Sequence, residues 1–164
     1  MNNTNRIYSF DPIINEYSEV LILGTIPGPE SLLKKQYYAN PQNQFWSILY
    51  NVYKENAASS TYDERISFLL ENKIALWDVF HSAERKGALD ADIRNETAND
   101  IPGLIRSFPR IKRILLNGKK AETSFHRSFP NESVDAFYVP SSSPAYAKKS
   151  LDEKTRDWMA AIIY

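Results

Sequence analysis

The 164-residue sequence predicts an α/β fold: one three-layer domain over residues 1–164, with a central, mainly parallel four-stranded sheet flanked by helices. Three observations carry that reading. Four short apolar runs, at 20–23, 74–77, 114–116 and 136–139, have the length and near-continuous apolarity of buried parallel strands. The segments between them carry helix caps or helical apolar spacing. No internal repeat, low-complexity tract or linker divides the chain, which is long enough for a single core.

In order along the chain, residues 6–18 read as an irregular or short helical lead-in. The first strand, 20–23, breaks at Gly24-Thr25-Ile26-Pro27-Gly28-Pro29, where two glycines and two prolines leave no room for regular structure. Asn40 is placed to cap a helix with Pro41 at its first position, putting Phe45, Leu49 and Val52 on one face. Thr61-Tyr62-Asp63-Glu64 reads as a capping box opening a helix through Ile66, Leu69 and Leu70. The second strand follows at 74–77, then a polar stretch, 78–99, read as an excursion over the surface. A short helix at 101–108 ends at Pro109. The third strand, 114–116, closes at Asn117-Gly118, a helix covers 119–127, and the fourth strand is 136–139. Ser150-Leu151-Asp152-Glu153 is a second capping box, and Leu151, Trp158 and Ile162 of its helix face the core. Open sheets of this kind bind ligands outside the carboxyl ends of their strands, which points to the loop at 24–29.

Composition narrows the function. Hydrophobic residues make up 43% and charged residues 24%, ordinary for a globular protein. The absence of cysteine excludes disulfides and thiolate metal sites, and the two histidines, His81 and His126, lack the company of a metal centre; no metal and no cofactor are expected. A formal net charge of zero argues against a non-selective nucleic-acid binder, since phosphate contacts supply most non-specific affinity. Basic residues still cluster: Arg106, Arg110, Lys112, Arg113, Lys119 and Lys120 follow one another without an acid, and Lys148 and Lys149 follow a Ser/Pro segment. They read as solvated faces or as a phosphate track. No apolar run approaches the ~20 residues that cross a bilayer, and the first six residues do not look like a signal peptide, so a cytoplasmic monomer is expected. The 24–29 loop has neither the lysine of a P-loop nor G-x-G-x-x-G, and no G-x-S-x-G occurs.

Four segments, GTIPGPESLLKKQYYANPQNQFW at 24–46, ALWDVFHSAERKGALD at 75–90, VPSSSPAYA at 139–147 and SFDPI at 9–13, occur in the order found in one family. The chain resembles the uracil-DNA glycosylase superfamily, in particular its hypoxanthine (deoxyinosine) DNA glycosylase branch. The resemblance implies a uracil-DNA glycosylase-like fold and a metal-free hydrolase that flips a deaminated base out of DNA and cleaves its N-glycosidic bond, leaving an abasic site. Hypoxanthine is the implied base, with uracil or xanthine as further substrates.

The same resemblance distributes roles. Gly24, Thr25, Ile26, Pro27 and Gly28 lie under the flipped nucleotide; many relatives carry a water-handling Asn or Asp here, and this chain does not. Asn43 matches the branch's catalytic asparagine, although by its own spacing alone it reads first as a partner of Asn40 in capping the helix. An amide has no useful pKa, so it orients or donates and does not act as a strong base. Asp78 stands where relatives read the base edge; it is an acceptor for a base N–H, a general base if burial raises its pKa, or simply a cap. Tyr37 and Tyr38 are candidate pocket walls, while Phe45 and Trp46 read as core by periodicity. Ser141, Ser142, Ser143 and Pro144, with Lys148, match the segment that meets DNA in relatives. Val139 occupies the place of the histidine that begins this motif in the best-known relatives, which disfavours strong uracil activity. Two other readings remain open: a catalytically silent DNA-binding relative, and a nucleoside or nucleotide hydrolase using the same cleft.

Overall fold

The computed structural model describes residues 6–56 and 60–163; the first five residues, where a signal peptide was sought, lie outside them. The chain runs β1 (Arg6–Tyr8), β2 (Val20–Gly24), α1 (Pro29–Lys34), α2 (Phe45–Val52), α3 (Tyr62–Glu71), β3 (Ile74–Asp78), β4 (Phe80–Arg85), β5 (Ile93–Ala98), α4 (Ile101–Ser107), β6 (Arg113–Asn117), α5 (Lys119–Ser128), β7 (Asp135–Val139) and α6 (Leu151–Ile163). The four apolar runs form one sheet in the order β3-β2-β6-β7, every neighbouring pair parallel.

Alternation along these strands builds two cores. Val20, Ile22, Ile74, Leu76 and Leu115 face Phe45, Trp46 and Leu49 of α2, Phe68 and Leu69 of α3, and Trp158 and Ile162 of α6. The intervening Leu21, Leu23, Ala75, Ile114 and Leu116 face Ile101 of α4, Ala121 and Phe125 of α5, and Phe80, Ala83 and Ile93 of the β4–β5 pair. A one-residue slip of β2 would exchange the two sets, so burial on both faces fixes the register. Phe45 and Trp158 are fully buried and meet edge-on at 5.9 Å between centroids. Truncating either costs roughly 3–5 kcal/mol.

The first capping box forms only its N-cap half, and the second forms in full. Thr61 Oγ1 accepts from the Glu64 N–H at 3.2 Å. In the second box, Ser150 Oγ accepts from the Glu153 N–H and Glu153 Oε1 accepts from the Ser150 N–H, each at 3.1 Å.

The structure departs from the sequence reading in four places. The lead-in contributes β1, and the supposed surface excursion contributes β4 and β5. Together they form an antiparallel sheet in the order β1-β4-β5, with Phe80, Ala83 and Ile93 packed into the second core. Helix α1 begins at Pro29, a residue that fits the first helical position because its missing N–H has no partner there anyway. Helix α2 begins at Phe45 and not at Pro41: Asn40 Oδ1 accepts from the Gln42 N–H at 2.9 Å, so its side chain closes a turn.

The connections define a switch point. From β2 the chain passes through α3, in the first core, to β3 on one side. From β6 it passes through α5, in the second core, to β7 on the other. The adjacent carboxyl ends of β2 and β6 therefore open a crevice between diverging connections.

Candidate active site

A cavity of about 440 Å³ occupies that crevice. Each parallel strand supplies a wall at its carboxyl end: Gly24 and residues 25–29 after β2, Asp78 ending β3, Asn117 ending β6, and residues 141–146 after β7. Tyr37, Tyr38, Asn40 and Asn43 come from the segment between α1 and α2, and Arg85 and Ala88, Leu89 and Asp90 from the end of β4 and the loop beyond it.

Gly24 is required by close approach. A Cβ at this position would stand 2.7 Å from Asp78 Oδ1 and 2.7 Å from Tyr38 Oη, so a bare backbone lets both groups lie over β2. Gly118 solves a different problem at the end of β6, where φ is +95° and an added Cβ would sit 3.1 Å from Ser141 Cβ.

Asp78 is the chemically exceptional residue. It is 4% exposed, its Oδ2 finds no hydrogen-bond partner among the described residues, and its main-chain carbonyl is held by Asn99 Nδ2 at 2.8 Å. Burial pushes its carboxyl up to about 7, and the negative charge of Asp90 adds to the effect. Asp90 itself accepts from Thr25 Oγ1 at 2.8 Å. An acid with a buried, unpaired oxygen and a pKa near neutrality in a cavity is the signature of a functional group.

Asn117, Tyr38 and Tyr37, by contrast, have partners. Asn117 Nδ2 donates to Tyr38 Oη at 3.1 Å and to Ser142 Oγ at 3.0 Å, while its Oδ1 accepts from the Ser142 N–H at 3.0 Å. Tyr38 stacks on Phe45 with centroids 3.9 Å apart, and Tyr37 donates to the Asp11 carbonyl at 2.8 Å. Burial, reinforced by the charge of Asp78, raises both phenols far above their ordinary range, so they stay protonated. Asn43 Oδ1 accepts from the Phe45 N–H at 3.0 Å; this fixes the amide at the cavity wall and leaves its NH2 as the donor half. The Gln44 N–H donates to the Ser142 carbonyl at 2.9 Å, and the buried ammonium of Lys154 donates to Gln44 Oε1 at 2.9 Å and to the Tyr146 carbonyl at 2.8 Å. The Asn43 turn and the 141–146 loop are thereby braced as one unit.

The residues singled out in the sequence mostly converge. Gly24, Thr25, Ile26, Pro27, Gly28, Tyr37, Tyr38, Asn43, Asp78, Ser141, Ser142, Ser143 and Pro144 all line the cavity, and Lys148 is exposed outside its lining. Two of them do double duty: Ile26 belongs to the second core and Tyr37 to the first. Ser142 is 1% exposed with its hydroxyl and N–H both engaged by Asn117, which makes it the anchor of its loop. His81 is exposed and lies edge-on to Tyr8, away from the cavity. Lys112 pairs with Glu19, and Arg113 donates to the carbonyls of Ala161 and Ile162; both stand at the amino end of β6, the far end of the sheet from the cavity.

Sequence reasoning missed Arg85, Asp90, Asn117 and Tyr146 as lining residues. Asn117 carried a usable signal, a polar residue ending an apolar strand run beside a glycine. Arg85 is buried, donating to the carbonyls of Pro27 at 3.0 Å and Gly87 at 2.8 Å, and nothing in its local sequence announces that. Among the described residues no group of three or more His, Asp or Glu side chains is arranged to hold a metal ion, and no helix is long and apolar enough to cross a membrane.

Fold and site define an α/β protein with a deep, partly apolar cleft at a strand switch point, walled by aromatic rings and furnished with a carboxyl and an amide. The family model for the uracil DNA glycosylase superfamily matches residues 12–164, and the chain belongs to that superfamily. A protein named hypoxanthine DNA glycosylase from Methanosarcina acetivorans is 35% identical over 151 residues, 92% of this chain and 94% of that one. Another of the same name from Methanosarcina barkeri is 43% identical over 112 residues, 68% of this chain and 71% of that one. The solution NMR structure of a candidate uracil DNA glycosylase from Methanosarcina acetivorans superposes with a TM-score of 0.84 at 34% identity, covering 96% of both chains.

Proposed function

We propose that this protein is a monofunctional DNA glycosylase that flips deaminated bases, hypoxanthine foremost, out of DNA and hydrolyses their N-glycosidic bond. The observation that carries this reading is the buried, unpaired Oδ2 of Asp78 at the end of β3, inside a cavity large enough for a base. The two relatives named for hypoxanthine excision support it.

Hypoxanthine carries a hydrogen on N1, whereas adenine presents a lone pair there. Ionised Asp78 accepts from the N1–H and repels the adenine lone pair, so deamination itself creates the hydrogen bond that the pocket lacks. A site with an unmet polar group rejects the ligand that cannot satisfy it, by far more than a change of shape alone achieves. Asn43 donates through its fixed NH2 to the departing base or the attacking water, stabilising charge as the bond to the sugar lengthens. With Asp78 engaged by the base edge and so not free to deprotonate water, the C1′–N bond breaks first: its electron pair departs with the base, the sugar is left as an oxocarbenium cation, and the positioned water adds to it and gives up a proton to solvent. Among the described residues no lysine lines the cavity, in keeping with hydrolysis and against a covalent sugar intermediate. Tyr38, stacked on Phe45 and hydrogen-bonded to Asn117, is a rigid wall for the base, while Ser141 and Ser143 hold the strand beside the cavity.

The test is release of free base from a duplex containing one deoxyinosine, in chelator, with deoxyuridine and deoxyadenosine duplexes alongside. Free hypoxanthine from wild type, reduced about 100-fold in Asn43→Ala with DNA affinity retained, supports the assignment. Undiminished DNA binding with no base released from any duplex would leave a DNA-binding relative and remove the enzymatic reading.

A further inference from the structure

Lys154 is a buried charge that the chemistry proposed above does not use. It is 1% exposed and stands on the core-facing side of α6 with Thr155, Trp158 and Ile162. Among the described residues no Asp or Glu pairs with it, whereas Lys149, just before the helix, pairs with Asp157. Its ammonium donates instead to Gln44 Oε1 at 2.9 Å and to the Tyr146 carbonyl at 2.8 Å, and lies 5.3 Å from the centroid of the Tyr146 ring. Trp158, one turn later on the same face, repeats the pattern. Its indole N–H donates to the Pro140 carbonyl at 2.8 Å, and its ring meets Phe45 edge-on. Two successive turns of α6 therefore span the same two segments, the start of α2 and the loop after β7.

A buried ammonium without a counter-ion is costly, and an apolar side chain would close this part of the core more cheaply. Stability therefore does not account for the lysine; what it holds does. Gln44 follows Asn43 directly, its N–H donates to the Ser142 carbonyl, and Asn43 Oδ1 accepts from the Phe45 N–H. Tyr146 closes the run of cavity-lining residues that begins at Ser141. Resting on the glycosylase reading, we propose that Lys154 is a positioning residue that fixes the Asn43 amide relative to the loop that holds the DNA strand. An ammonium offers three N–H donors in different directions, so one side chain fastens two segments at once. A strand seated on Ser141 and Ser143 then brings the bond to be broken within reach of Asn43. Lys154 lies outside the cavity lining and acts only through the residues it holds. A misplacement of about 1 Å at a reacting centre is enough to cost about 100-fold in rate.

The experiment uses full-length protein and a deoxyinosine duplex, and compares wild type with Lys154→Met, Gln44→Met, Asn43→Ala and the Asn43→Ala/Lys154→Met double variant. Lys154→Met keeps the length of the side chain and removes its donors. It is expected to slow single-turnover hypoxanthine release about 10- to 100-fold while the Kd for the duplex changes less than about twofold. Gln44→Met cuts the tie from the other side with the lysine in place, and should reproduce the loss. In the Asn43→Ala background Lys154→Met should have no further effect, because it acts through that amide. A full multiplicative loss in that background, or weaker DNA binding with an unchanged single-turnover rate, overturns the assignment. Amide exchange reads the brace without catalysis: the Gln44 and Phe45 N–H groups should exchange about tenfold faster in Lys154→Met, beyond any change in global stability that a melting curve records. Unchanged exchange overturns the assignment as well. Should Lys154→Met fail to fold, Gln44→Met supplies both readouts. If wild type releases no base at all, the glycosylase reading fails on that result, and exchange at these two amides still decides whether Lys154 positions Asn43.

Discussion

Asp78 and Asn117 make an instructive pair. Each ends a parallel strand, each is buried at the carboxyl edge of the sheet, and each lines the same cavity. Asn117 spends its side chain on Tyr38 and Ser142, donating twice and accepting once. Asp78 keeps one oxygen without a partner and a carboxyl raised to about 7 by burial and the neighbouring Asp90. Burial of a polar group therefore says little by itself; whether the fold satisfies it separates a residue that holds a site together from one that waits for a ligand.

Perturbing the two residues should give opposite outcomes. Asn117→Ala strands Tyr38 Oη and the Ser142 N–H and hydroxyl without partners, and should destabilise the fold by roughly 2–4 kcal/mol, read as a lower chemical-denaturation midpoint. Asp78→Ala should reduce excision of hypoxanthine about 100-fold and leave stability equal or higher. Asp78→Asn sharpens the contrast through pH. The folded-state pKa of Asp78 lies above the unfolded carboxylate value, so the native state binds the extra proton between about pH 4 and pH 7, and wild-type stability declines as pH rises through that window. The Asn variant has no such decline. The two proteins should match near pH 4 and diverge by roughly 2–4 kcal/mol at pH 8, the variant being the more stable, in melting curves taken across the range.

Smaller effects refine the picture. Gly24→Ala places a methyl 2.7 Å from both Asp78 Oδ1 and Tyr38 Oη, and should cut excision about tenfold while the sheet persists, as circular dichroism would record. Ser124 is the internal control. Its hydroxyl is also buried and without a partner among the described residues, but it sits in α5 away from the cavity lining. Ser124→Ala should leave excision unchanged and raise stability by up to about 1 kcal/mol. A large loss of excision there would break the link between cavity and function on which the comparison with Asp78 depends.

How much of this was legible in the sequence follows the same division. The four strands were readable because parallel strands buried on both faces are continuous apolar runs, as in β2, where all five residues are buried. Strands β4 and β5 escaped notice because only Phe80, Ala83 and Ile93 face the second core, and register shifts between Phe80 and Glu84 interrupt the alternation that marks a half-buried strand. The start of α2 was misplaced because Asn-Pro serves turns and helix caps alike, and here it makes the turn that presents Asn43. Gly24, Asn43 and Asp78 were visible from motif and position at strand ends. Arg85 and Asp90 were not, since their importance arises from bonds to residues 58 and 65 positions away, Pro27 and Thr25.

The central claim is that ionised Asp78 recognises the deaminated base, and the most direct measurement is the pH dependence of single-turnover hypoxanthine release from a deoxyinosine duplex. Wild type should speed up as pH rises through about 7, the carboxyl's raised pKa, and Asp78→Asn, which keeps an acceptor for N1–H but cannot ionise, should remain active with a flat profile across that range. The same rise in both proteins, or a flat profile in wild type, would contradict the assignment of Asp78 as the group that reads the base.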